Sequence, residues 1–135
     1  MLRSEKDKLF EKITKWVGER LEKLTGPEGK YKSREIAEIS KVAGSRLTEI
    51  KRYPKYKKLI GEKDFLRLVS SEIMEVKDIM EDLEAGGVLD QKEKEYLELM
   101  KLYGLKGFRR RAMAVIRLGG DLEKILDQWL LDNIK

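Results

Sequence analysis

From Ser33 to Arg52 the chain reads SREIAEISKVAGSRLTEIKR, and the spacing of its apolar and small residues admits few backbones. Ile36, Ala37, Val42, Leu47 and Ile50 face one interior if two short helices cross steeply around a tight turn. Such a crossing needs a small residue where the helices touch, which is Ala37. Ile36, Val42, Leu47 and Ile50 then supply the core beneath. The second helix is expected to start between Ala43 and Ser45, with the Ser45 hydroxyl as its N-cap. That leaves Arg46, Thr48, Glu49, Lys51 and Arg52 facing outward. An ordinary amphipathic helix pair satisfies the same spacing, so charge has to separate a binding surface from a plain core.

Charge is unevenly spread. Residues 31 to 68 carry eleven Lys/Arg against five Asp/Glu, a net of +6, whereas the whole chain carries +5. Residues 69 to 98 carry three against ten, a net of −7. The tract after the second helix, Lys51-Arg52-Tyr53-Pro54-Lys55-Tyr56-Lys57-Lys58, sets two tyrosines among cations. Mobile cations beside hydroxyl donors are what phosphate contacts require, and each neutralised phosphate releases counterions.

With spacing and charge together, residues 33 to 52 resemble the helix-turn-helix superfamily of DNA-binding proteins. The resemblance covers only this stretch. It implies a recognition helix near 44–53 that enters the major groove of double-stranded DNA. On this reading Ser45, Arg46, Thr48 and Glu49 contact bases, and Lys32, Arg34, Lys51, Arg52, Lys55, Lys57 and Lys58 contact phosphates. The superfamily usually has glycine in the turn where this chain has Lys41, with Gly44 three residues later. A lysine takes a left-handed turn at a cost, so a longer or differently shaped turn is part of the expectation.

The rest of the chain reads as helical, which makes the fold class all-α: an N-terminal three-helix unit over residues 1–60, then a helical bundle or oligomerisation region over residues 61–135. Leu9, Phe10, Ile13, Trp16, Val17, Leu21 and Leu24 recur at helical spacing behind a Ser4 cap and form the helix that completes the three-helix core. Thr25-Gly26-Pro27-Glu28-Gly29 ends it. Pro54 ends the recognition helix at or just before Tyr53.

Between Glu62 and Glu84 the residues Leu66, Val69, Ile73, Val76, Met80 and Leu83 repeat at alternating intervals of three and four, a heptad seam. It predicts one helix, used either in an intramolecular core or to pair chains as a homodimer or higher homo-oligomer. Ala85-Gly86-Gly87 breaks that helix, and Asp90 with Glu93 forms a capping box for the next, whose inner face is Tyr96, Leu97, Met100 and Tyr103. Asp82, Glu84 and Asp90 do not have the alternating spacing of a calcium loop. Arg109, Arg110, Arg111 and Arg117 form a second basic cluster, suited to phosphate or to pairing with the acidic middle. Asp121 is expected to cap a final helix bearing Leu122, Ile125, Leu126, Trp129 and Leu130.

Composition removes most enzyme designs. Without cysteine or histidine there are no disulfides, thiolate nucleophiles, Cys/His zinc sites or imidazole acid-base groups, so neither an enzyme nor a cofactor is expected. No apolar run approaches the ~20 residues that cross a bilayer, and the N-terminus is too charged for a signal peptide, which predicts a cytoplasmic protein. Abundant Lys and Glu beside only three Asn and Gln residues, Gln91, Gln128 and Asn133, suggest a thermophilic source. Two function classes remain. One is a double-stranded DNA-binding protein, by default a transcription regulator, with a phage-type small terminase subunit as the alternative of similar plan. The other is a helical protein-protein interaction module.

Overall fold

The heptad-like run of residues 62–84 is not one helix. In the computed structural model, which describes residues 3–101 and Lys124, it is split into two helices that lie in separate compact units, Met1–Met74 and Glu75–Lys135. The described residues contain six helices and no strand: α1 (Arg3–Thr25), α2 (Ser33–Ser40), α3 (Gly44–Lys51), α4 (Glu62–Ser70), α5 (Val76–Ala85) and α6 (Gln91–Lys101).

In the first unit α1 packs on α3, and α2 packs on both α3 and α4. The apolar stripe of α1 buries Leu9, Phe10, Ile13, Trp16, Val17 and Leu21. Four of the five inward residues expected in the helix pair, Ile36, Val42, Leu47 and Ile50, are fully buried, and Ala37 is half-buried. A close helix approach is made by Gly18 on α1, where a β-carbon would lie 2.5 Å from the Ile50 carbonyl oxygen. Phe65 of α4 closes the interior, meeting Phe10 edge-on at 6.3 Å between ring centroids. This packing draws α4 into the first unit, which ends at Met74 and not at residue 60.

Two helix caps differ from expectation, although α3 starts within the expected window. α1 already includes Arg3, so Ser4 lies inside its first turn, and α3 begins at Gly44 with Ala43 as its cap, so Ser45 is the second helical residue. α3 ends at Lys51 with Arg52 as its C-cap, two residues before Pro54, as the preference of pre-proline residues for extended backbone requires.

The break at residues 71–75 is a matter of competing hydrogen bonds. The Ser70 and Ser71 hydroxyls donate back to the carbonyls of Arg67 and Leu68, at 3.2 and 2.9 Å. Glu72 then turns left-handed at φ 64°. Serines that bond their own backbone weaken helix continuation. The seam is thereby divided: Leu66 and Val69 stand on α4, Ile73 in the break, and Val76, Met80 and Leu83 on α5. The expected seam therefore does not run along one continuous helix. Leu66, Ile73, Val76 and Met80 are instead buried within the chain, and Val69 and Leu83 are half-buried.

In the second unit α5 packs on α6. α5 ends in a Schellman motif, with the Val88 N–H donating to the Leu83 carbonyl and the Gly87 N–H to the Glu84 carbonyl, and Gly87 taking the left-handed conformation the motif demands. The Asp90–Glu93 capping box is present: the Glu93 N–H donates to the Asp90 carboxylate at 2.8 Å, and the Asp90 N–H to the Glu93 carboxylate at 3.0 Å. Tyr96, Leu97 and Met100 are buried as expected. Tyr103, the arginine cluster at 109–111 and 117, and the final helix capped by Asp121 lie outside the described residues.

Candidate nucleic-acid interface

The turn between α2 and α3 is three residues long, and Lys41 occupies the left-handed position itself, at φ 64° and ψ 20°. Four hydrogen bonds hold it there. The Lys41 N–H donates to the Ala37 carbonyl at 2.9 Å. The buried Ser40 hydroxyl donates to the Ile36 carbonyl at 2.6 Å and accepts the Val42 N–H at 3.2 Å. From α4, Arg67 donates to the Lys41 carbonyl at 3.1 Å. The cost of placing a β-carbon residue there, about 1–2 kcal/mol, is met by this over-determined surrounding.

Because Leu47 and Ile50 point inward, the opposite side of α3 is open. Gly44, Ser45 and Thr48 are exposed along it, continued by Arg52 just past its end. The Thr48 hydroxyl donates to the Gly44 carbonyl at 3.1 Å, which leaves the oxygen of this exposed residue able to accept. At the C-terminal end of α3 the Lys51 ammonium donates to the Ser33 hydroxyl at 2.8 Å. The bond is made where α2 packs on α3, and it places the start of α2, with its exposed Lys32 and Arg34, beside the end of α3. Glu35 is turned back on the backbone, accepting the Lys32 N–H at 3.0 Å.

The basic tract folds as a series of turns after α3, with Lys55 N–H donating to the Arg52 carbonyl and Lys57 N–H to the Pro54 carbonyl. Arg52, Lys55, Lys57 and Lys58 are all exposed, as is Tyr56, whose hydroxyl stands 3.5 Å from the Arg52 guanidinium. The tract is anchored at its far end. The Ile60 N–H donates to the buried Thr14 hydroxyl of α1 at 3.0 Å, and Thr14 in turn donates to the Phe10 carbonyl. Thr14 went unnoticed in the sequence, though a hydroxyl residue on an otherwise apolar helix stripe was the signal for it.

Two of the four expected base-contacting residues are engaged internally. Arg46 is half-buried: its guanidinium donates to Glu49 one turn along α3, to Asp64 in the first turn of α4 at 3.5 Å, and to the Leu59 carbonyl at 3.4 Å. Glu49 also pairs with Lys58 at 3.6 Å. Ser45 and Thr48 remain open, while Arg46 and Glu49 are turned toward α4 and the loop. Among the described residues no three acidic side chains are grouped to hold a metal ion, and no helix is long and apolar enough to cross a membrane. Compared with protein-family models, curated proteins and solved structures, the chain matches none.

Proposed function

We propose that this protein binds double-stranded DNA, with α3 in the major groove, Ser45 and Thr48 toward base edges, and Lys32, Arg34, Lys51, Arg52, Lys55, Lys57 and Lys58 toward phosphates. One observation carries the reading: the open side of α3 bears small hydroxyl residues and is bordered by cations from two separate segments, joined by the Lys51–Ser33 bond. Small side chains let the helix approach base edges, and bordering cations meet the sugar-phosphate walls of the groove. Arg46 and Glu49 belong to the support of this face.

An eight-residue α3 is about 12 Å long and spans roughly three to four base pairs at 3.4 Å each. One copy therefore reads too little sequence to select a site, and two copies on a divided site are the working form of a transcription regulator. Selection from a random duplex library tests this. The expected result is a two-part consensus whose half-site preference changes in Thr48→Ala. Enrichment of no sequence, with no salt-dependent binding to any duplex, favours the protein-interaction class instead.

A further inference from the structure

We infer that Arg46 is a positioning residue that holds the basic loop Arg52–Lys58 in place for phosphate contact, an inference that rests on the DNA-binding reading above. Its three nitrogens reach three different elements: Glu49 on α3, Asp64 on α4, and the Leu59 carbonyl at the end of the loop. Planar guanidinium groups fix several acceptors at once, which an ammonium cannot do with the same geometry. The adjacent residue is held from the other side, by the bond from the Ile60 N–H to Thr14. Leu59 and Ile60 are thus clamped between α1, α3 and α4. At its near end the loop grows directly out of the last turn of α3, where the Arg52 N–H donates to the Thr48 carbonyl.

A loop fixed at both ends presents Lys55, Lys57 and Lys58 over a restricted region. Binding then immobilises less freedom than it would for an untethered basic tail. Glu49 couples the two parts, since the same carboxylate oxygen that accepts from Arg46 lies 3.6 Å from the Lys58 ammonium. Arg46 acts on phosphate contacts without touching a phosphate, and base preference belongs to Ser45 and Thr48.

The test uses the full chain with Arg46→Lys, which keeps the charge but loses the fork, and Thr14→Val, which releases the loop from the opposite side. In the absence of DNA, amide exchange over residues 53–61 is expected to quicken about tenfold in both variants while buried α1 amides are unchanged. Toward duplex DNA both variants are expected to lose about three- to tenfold in affinity for every sequence alike. The slope of log affinity against log salt becomes shallower by about one to two, with the ranking of sequences retained. Relaxed preference at one base position in Arg46→Lys, with exchange unchanged and Thr14→Val binding normally, would overturn the inference and make Arg46 a base reader. Absence of salt-dependent binding by the unaltered chain overturns the DNA reading itself. The exchange result then decides alone whether Arg46 holds the loop, unchanged exchange refuting it.

Discussion

Gly18 on α1 lies against Ile50 on α3 so closely that a β-carbon on the glycine would stand 2.5 Å from the Ile50 carbonyl oxygen. The obstructing atom is backbone, which cannot rotate aside. Gly18 therefore sets the distance at which α3 rests on α1, and with it the height of the exposed stripe bearing Ser45 and Thr48.

Gly18→Ala is expected to destabilise the chain by about 1–3 kcal/mol, although alanine is the better helix former, because α3 must shift outward. Gly44→Ala has the opposite sign. No atom lies within 4 Å of the added methyl group, so a gain of about 0.4–1 kcal/mol is expected. Urea unfolding of the pair separates crowding from propensity, and equal signs would refute the packing argument.

Lys41→Gly is expected to stabilise the first unit by up to about 1 kcal/mol, since glycine adopts φ 64° without a β-carbon clash. The gain is reduced by the entropy glycine adds to the unfolded chain. Lys41→Val should cost more than 1 kcal/mol, because a β-branched residue is the poorest fit to a left-handed turn. Equal stability of all three proteins would show that the turn relaxes without strain.

Asp90→Ala removes one half of the capping box at the start of α6 and should cost about 1 kcal/mol. Because Asp90 and Met74 fall in different compact units, the loss should appear in amide exchange of α5 and α6 with little change in α1 and α3. Equal acceleration in both units would show that they unfold as one.

The sequence was most readable where local chemistry decides the outcome. The apolar stripe of α1 and the inward residues Ile36, Val42, Leu47 and Ile50 follow from helical periodicity, and the Asp90–Glu93 box from contacts within one turn. The break at residues 71–75 was hidden because the apolar intervals run through it without a Gly or Pro. Only Ser70 and Ser71 mark it, and serine is a weak signal. The interface was half legible. Cations such as Lys55 and Lys57 remain on the surface, whereas Arg46 looked outward by helical phase and was drawn inward by Asp64, eighteen residues away, and by the Leu59 carbonyl. Side-chain pairing at that separation depends on how α4 returns to the unit, which periodicity does not encode. The Thr14–Ile60 bond, spanning forty-six residues, was hidden for the same reason.

The central claim is that the cations around α3 meet DNA phosphates, and a salt titration of duplex binding tests it most directly. Seven such side chains predict a slope of log affinity against log salt of about −6 per chain, shallower by about two in Lys55→Ala/Lys57→Ala, each neutralised phosphate contributing about 0.9. A slope near zero, or the same slope in that variant as in the unaltered chain, would contradict it.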